Sequence, residues 1–216
     1  SEAAEAFAQE WTAKGYMVIA PIHADSSESL VTLPATWDPI DRWQFRVDDC
    51  KIALDIAIAN QTSSGDGAIP EGYTFDVSAP VIAGHSFGAN MAALIAGALP
   101  YWPISTGSHA WSDDRFVAAM AISGSGGEAA DPVPFEADSF DSIDIPFLRL
   151  SGAYDFSGDT VDPGDRLDGV FRNLSDPDVH GVWIDHASHR SLTRPSDNPY
   201  GLDSAPQARP APSVAA

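Results

Sequence analysis

Positive charge is scarce in this chain of 216 residues. Lysine occurs only at Lys14 and Lys51, and the formal net charge is -20. Nucleic acids and anionic membranes are bound through cationic surfaces that release counterions, so neither is expected as a partner. A lysine-poor, acidic surface is typical of proteins kept soluble in high salt, although ordinary secreted proteins can also be acidic.

Cysteine is nearly absent, because Cys50 is the single one. A single cysteine excludes an internal disulfide and does not indicate the cellular compartment. A secreted or periplasmic location is slightly favoured over the cytoplasm. Cys50 lies within a helical apolar pattern, so we interpret it as a small packed hydrophobe and not as a nucleophile. No apolar run approaches the roughly 18 residues of a membrane span, and no signal peptide begins the chain.

Signals for metal and nucleotide sites are also missing. The histidines and carboxylates show no ligand spacing, no Gly-rich phosphate loop precedes a helix, and no dinucleotide fingerprint occurs, so we expect neither a metal nor a cofactor. No internal repeats are seen. With 44% hydrophobic residues the chain can bury a full core. We predict one domain over residues 1–203 and a flexible Pro- and Ala-rich tail over 204–216.

Short apolar runs alternate with amphipathic patterns along the chain. Helices are predicted over 3–14 before Gly15, from Pro39 behind the cap Asp38 to Ile58, after Ser86 with Leu99 on its apolar face, and from Asp162. Strands are predicted over 16–21, 79–84, 115–123, 146–152 and 180–185. This alternation indicates an α/β fold with a mostly parallel sheet and helices on both faces.

The stretch AGHSFGAN at residues 83–90 contains the most informative motif. It follows the apolar run APVI and precedes a helical pattern, which is the strand, turn, helix context that gives a G-x-S-x-G match its meaning. We predict that Ser86 stands at the tip of a sharp turn as a nucleophile. Gly84 and Gly88 are expected to be small because the backbone passes too close for a Cβ.

A serine nucleophile needs a base and a carboxylate that orients the base. In a parallel sheet such groups lie at the carboxyl ends of strands. The fourth predicted strand is followed by Asp155, with Asp159 and Asp162 as competitors. Asp162 is more simply a helix cap and Asp159 lies farther from the strand, so Asp155 is favoured.

Two histidines follow the fifth predicted strand. His189 lies in a loop of small residues from which a side chain can turn back over the strand ends, so we favour it as the base. His186 is closer to the strand and is interpreted as a packed or surface residue. His85 is excluded as the base because side chains of neighbouring residues on a sharp turn diverge. We expect it to pack or hydrogen-bond beneath the turn.

The order Ser86, Asp155, His189 is the order that an alpha/beta-hydrolase requires. The segments GYMVIAPIHADS, AGHSFGANMAALIAG, FDSIDIPFLRLSGAYD and IDHASHRSL resemble the dienelactone-hydrolase-like and platelet-activating-factor acetylhydrolase-like branch of that superfamily, and more distantly the cutinase-like polyesterases. The similarity runs over most of residues 5–195. It implies a serine carboxylester hydrolase with Ser86 as nucleophile, Asp155 as acid and His189 as base. Dienelactone hydrolases proper use cysteine, so the serine indicates ester cleavage in general.

The chain departs from this family at its beginning. Family members start with about three strands, the last of which ends in a His-Gly-rich loop that supplies one oxyanion amide. This sequence opens where that loop should close, which leaves either a fragment or a variant hydrolase. The Phe87 amide is expected to supply one oxyanion donor, and no second donor is identified. The sheet edge beside 16–21 would be bare unless another chain or a homodimer covers it.

Substrate contacts are expected from Tyr154 beside the proposed acid, from Trp111, and from His23, for which a solvated histidine is the alternative. Trp37 and Trp102 are further candidates, whereas Trp43 is assigned to the core from its helical periodicity. The acidic surface favours neutral esters, short-chain or of aromatic and polyester type. The alternatives are an amide or thioester hydrolase, and a catalytically silent relative that acts as a binding or scaffold module.

Overall fold

The structure of the chain is a computed structural model. It describes residues 2–26, 29, 39–61, 74–100, 111–125, 135, 138–156, 178–189 and 191–192. The elements follow one another as helix α1 (Glu2–Ala13), helix α2 (Pro39–Asn60), strand β1 (Val81–His85), helix α3 (Phe87–Ala96), and strands β2 (Ala118–Ile122), β3 (Phe147–Tyr154) and β4 (Val179–Ser188).

The sheet within the described ranges has four strands in the order β1-β2-β3-β4. Each neighbouring pair is parallel. Apolar strands suit this arrangement where a helix covers the sheet, as α3 does on β1 and β2. The predicted α/β class with a mostly parallel sheet is therefore confirmed.

The two N-terminal helices begin and end close to their predicted bounds. In α1, Phe7 and Trp11 lie one turn apart and their rings stack with centroids 5.2 Å apart. Gly15 follows with a φ of 91°, a left-handed conformation that ends a helix readily when no Cβ is present. Helix α2 begins at Pro39, whose ring restricts φ to a helical value.

The strand predicted over residues 16–21 is wrong, because the structure assigns no strand to this segment. Three of its apolar side chains are exposed, namely Tyr16, Met17 and Ile19. An apolar run forms a strand only where a neighbouring strand accepts its backbone hydrogen bonds. Among the residues described here, β1 pairs only with β2, so no strand lies next to residues 16–21.

The helix after Ser86 is shorter than its apolar pattern suggested. It ends at Ala96, and Gly97 follows with a φ of 120° and donates its amide to the carbonyls of Ala93 and Leu94. Leu99 therefore lies outside α3, and the residue is 59% exposed. The helix ends at the left-handed Gly97, although the apolar pattern continues to Leu99.

The core lies where α3 packs on β1 and β2 and where α2 packs against α3. It contains Trp43 and Val47 of α2, six of the ten residues of α3, and Phe147 of β3. The ring of Trp43 meets the ring of Phe87 edge-on at 4.8 Å. The assignment of Trp43 to the core is confirmed, and the nucleophile helix α3 is fixed on its buried side.

Cys50 is half-buried on α2 and packs against this core. Burial raises the pKa of its thiol to about 11, and the negative charge of Asp49 adds to the effect. At pH 8 only about one thiol in a thousand is then a thiolate, and the thiolate is the reactive form. We expect a disulfide reagent such as dithionitrobenzoate to react at least about 100-fold more slowly with the folded protein than with the guanidinium-unfolded protein. Equal rates would contradict the packed state of Cys50.

Several predictions fall on residues outside the described ranges. These are the cap at Asp38, the helix from Asp162, the tail over 204–216, and the residues Trp37, Trp102 and Asp159. The domain boundary and the homodimer stay predictions. None of the described helices is both long enough and apolar enough to cross a membrane.

Candidate active site

Ser86 is the single residue between strand β1 and helix α3. It follows β1 directly, precedes α3, and has φ 57° and ψ -119°. This is an unusual conformation for a residue with a Cβ, and such strain is concentrated at functional sites. The Ser86 amide donates to the carbonyl of Ile122 at 2.9 Å, which ties the turn to β2. Its hydroxyl does not cap α3 and is not used up by the helix.

The two glycines of the motif have different environments. A Cβ added to Gly84 would overlap the carbonyl oxygen of Gly88 and would lie 2.8 Å from the amide nitrogen of Ala89. The close approach predicted at Gly84 is therefore confirmed. A Cβ on Gly88 would meet no atom within 4 Å, so the same prediction for Gly88 is wrong. The first turn of α3 lies over Gly84, and Gly88 faces open space on the other side of that contact.

Asp155 and His189 are in direct contact. Nδ1 of His189 lies 2.7 Å from Oδ1 of Asp155, and the carboxylate is fully buried. The hydroxyl of Ser151 donates to the other carboxylate oxygen at 3.1 Å. A carboxylate can only accept, so Nδ1 of His189 carries the proton and Nε2 of the neutral ring has its lone pair free. This tautomer is the one that a general base needs, while the catalytic roles stay predictions.

An irregularity between β3 and β4 brings His189 to Asp155. Gly152 pairs with Ile184, but Tyr154 pairs with Ser188, so β4 has two extra residues at this point. His186 has a positive φ of 65° within the irregularity. Ala187 lies so close to Gly152 that a Cβ there would be 2.7 Å from the Ala187 side chain. Such bulges re-aim a side chain at the end of a strand.

His85 links the turn to the loop of the base. Its Nε2 lies 2.9 Å from the carbonyl oxygen of His189, and the two rings are 4.6 Å apart between centroids. The expected hydrogen bonding of His85 beneath the turn is confirmed. A hydrogen bond between the Ser86 hydroxyl and the His189 ring is not formed among the described residues. Catalytic hydrogen bonds are often long in a protein without substrate.

Phe87 begins α3, and the first amides of a helix have no acceptor within it. The role of the Phe87 amide as an oxyanion donor stays a prediction. The Phe87 ring is held on its face by the guanidinium of Arg46 at 4.5 Å, besides its edge contact with Trp43. No second oxyanion donor is identified in the part of the chain that the structure describes.

The three predicted substrate contacts lie in different places. Tyr154 ends β3 next to Asp155 and stacks on the ring of His186 at 6.1 Å. Nδ1 of His23 lies 2.7 Å from a carboxylate oxygen of Asp49 on α2, so this half-buried histidine is paired and not merely solvated. Trp111 packs against the core. Contact with a substrate stays a prediction for all three.

Ser151 was missed by the analysis of the sequence. It lies on β3 four residues before Asp155 and is completely buried. The sequence signal for Ser151 was a hydroxyl within an apolar strand, since a buried polar group needs a partner nearby.

Within the described ranges, no group of three or more ligating side chains could hold a metal ion.

A parallel sheet with a serine at a strand, turn, helix junction and a later Asp–His pair is the arrangement of alpha/beta-hydrolases. The chain resembles that superfamily. Among solved structures it is similar to a Klebsiella pneumoniae subsp. pneumoniae MGH 78578 protein provisionally named dienelactone hydrolase, with a TM-score of 0.44 and 20% identity over 68% of this chain and 52% of that one. Two puromycin hydrolase structures match at TM-scores of 0.41 and 0.40, with 17% identity over 68% of this chain and 22% of theirs.

The chain thus spans about half the length of the first of these hydrolases and about a fifth of the other two. Neither a protein-family model nor a curated protein matches it. Such distant likenesses carry no substrate, activity or site residue over to this alpha/beta-hydrolase-like chain.

Proposed function

We propose that this chain is a serine carboxylester hydrolase that works through an acyl-enzyme. The observation that carries the proposal is the pairing of Asp155 with His189 at 2.7 Å, in a chain whose Ser86 is held in a strained turn. The link from His85 to the His189 carbonyl supports the proximity of the serine and the base. Ser86 occupies the N-cap position of α3, but its side chain makes no capping hydrogen bond that would explain the strain.

In the first half of the reaction, Nε2 of His189 takes the hydroxyl proton of Ser86 as Oγ attacks the ester carbonyl. The amide of Phe87 donates to the oxygen that becomes negative. Asp155 holds the Nδ1 proton and stabilises the imidazolium that forms. When the tetrahedral intermediate collapses, the bond to the alcohol breaks, and the leaving alkoxide takes the proton from His189.

In the second half, water attacks the acyl group on Ser86. His189 accepts the proton of the water, and the collapse returns that proton to Oγ of Ser86 while the carboxylic acid leaves. Every proton transfer uses the same nitrogen, so no further acid or base is needed. The substrate is a neutral ester, short-chain or of aromatic and polyester type, since the acidic chain would repel an anionic one.

Labelling with a fluorophosphonate, together with hydrolysis of a short-chain p-nitrophenyl ester, tests this proposal. Oγ of Ser86 attacks the phosphorus atom, fluoride leaves, and His189 takes the hydroxyl proton. We expect one adduct per chain, located on Ser86 by mass spectrometry, and ester turnover in low or in molar salt. The guanidinium-unfolded protein is the control and is expected to stay unlabelled, because an isolated serine hydroxyl is a weak nucleophile.

A catalytically silent binding module is the second candidate function. The observation that favours it is that the described residues contain one recognisable oxyanion donor, and loss of one donor costs about 100- to 1000-fold in rate. A folded protein, shown by circular dichroism, that neither takes the label nor cleaves the ester would make this candidate the better one. Cleavage of an amide or thioester analogue in preference to the ester would instead change the bond that is assigned.

A further inference from the structure

The side chain of His85 joins the end of β1 to the backbone of His189. It is the last residue of β1 and precedes Ser86. A carbonyl oxygen can only accept, so the 2.9 Å contact with His189 requires a proton on Nε2 of His85. The two histidine rings also touch, at 4.6 Å between centroids and a tilt of 46°.

This contact bridges two elements that are remote in the sheet. Ser86 follows β1 at one edge, whereas His189 follows β4 at the other edge. The contact with Asp155 fixes the rotation of the His189 ring through Nδ1. Asp155 follows β3, however, and is far from Ser86 along the chain. The His85 bond ties the main chain of His189 to the residue beside the nucleophile.

We infer that His85 is a positioning residue for the reaction proposed above, because it sets the distance between Oγ of Ser86 and Nε2 of His189. The inference rests on the proposed function. His85 does not act as the base, because its ring is directed to the His189 carbonyl and not to the serine hydroxyl. Of the two neighbouring residues, His85 holds the base and Ser86 attacks the substrate.

The hydrogen bond between His85 and His189 affects the reaction rate through the geometry of the reacting groups. A displacement of about 1 Å between reacting groups can cost about 100-fold in rate, even where the total stability changes little. Without the bond, His189 keeps its Asp155 contact, while its main chain is held by the pairing of the preceding Ser188 with Tyr154 and by its own loop, in which Ser188 and Ser191 bond to each other. A loss of positioning lowers kcat while KM changes little.

Two substitutions separate the hydrogen bond from the bulk of the ring. His85→Leu fills a similar volume without a donor, and His85→Gln places an amide N–H near the position of the imidazole Nε2. We expect His85→Leu to lower kcat for the p-nitrophenyl ester by about 10- to 100-fold with KM within about twofold of wild type. His85→Gln is expected to recover most of that loss.

A spectroscopic measurement tests the same bond without turnover. The His189 Nδ1 proton, shared with Asp155, should give a low-field proton resonance that is absent in Asp155→Asn. We expect its exchange with solvent to be faster in His85→Leu and close to wild type in His85→Gln. If the leucine variant does not fold, the comparison of His85→Gln with the shorter His85→Asn decides: glutamine supports the slow exchange and the high kcat, and asparagine does not.

The outcomes distinguish a failure of the proposed function from a failure of the role of His85. Wild-type protein that takes no label and cleaves no ester would overturn the proposed function, while the exchange rates still report on the bond. An active wild type with an unaffected His85→Leu variant would overturn only the role of His85. Equal impairment in the leucine and glutamine variants would show that ring packing acts there and the hydrogen bond does not, which also overturns the inference.

Discussion

Replacing Gly84 by alanine is expected to lower the free energy of unfolding by about 3 kcal/mol or more and to abolish labelling of Ser86. The new Cβ would overlap the backbone of Gly88, which cannot move unless the first turn of α3 moves with it. The obstacle is steric and not conformational, because Gly84 is not among the glycines with positive φ. Small domains have total stabilities of about 5–15 kcal/mol, so this loss is a large fraction of the whole.

Gly88→Ala is the matched control, with the same chemical change four residues away. Its Cβ enters open space, and alanine in a helix is about 1 kcal/mol more favourable than glycine. We expect unchanged or slightly increased stability in urea unfolding followed by circular dichroism, and normal labelling. Equal stability of the two variants would show that the first turn of α3 does not lie over Gly84.

The second large effect is expected at the Asp155–His189 pair. Asp155→Asn should lower kcat by about 10,000-fold. The asparagine amide can donate to Nδ1 of His189, which moves the ring proton to Nε2. The base needs Nε2 without a proton, so the variant holds the wrong tautomer. Ser86→Ala should lower kcat by about a millionfold, since no other oxygen forms the acyl-enzyme. Both are measured with the p-nitrophenyl ester, with circular dichroism to confirm folding.

Asp144→Asn is the control for this prediction. Asp144 is exposed in the loop before β3, so the substitution removes the same charge without touching the site. It should leave kcat within about twofold of wild type. If Asp155→Asn had an effect as small as that of Asp144→Asn, Asp155 would not be the group that orients the base. In that case Asp159, which lies outside the described residues, would be the next to test.

The placement of the candidate site followed from local patterns. Ser86, Asp155 and His189 were each chosen because they follow a predicted strand, and β1, β3 and β4 do precede them. This worked because the predicted strands are mainly apolar, and the residues that follow them lie at the edge of the sheet where parallel strands bring their carboxyl ends together.

Polar residues inside the strands were not anticipated. Arg149 of β3 is 1% exposed, and its guanidinium donates to the carbonyls of Gly124 and Ser125 at 2.5 and 2.6 Å. Ser151 on the same strand holds Asp155. The apolar pattern shows that β3 is buried, but which carbonyl or carboxylate meets a buried donor depends on segments far away in the chain.

By itself, the sequence determined the alternation of strands and helices, the parallel sheet, and the strand ends that Ser86, Asp155 and His189 follow. The tertiary structure decided that residues 16–21 form no strand, that Gly84 and not Gly88 lacks room for a Cβ, and that β4 bulges so that His189 reaches Asp155, 34 residues away in the chain. Periodicity encodes which side chains leave water, and that is a local property of the chain. Strand pairing, close approach and hydrogen bonds between remote residues arise only when the elements pack against one another.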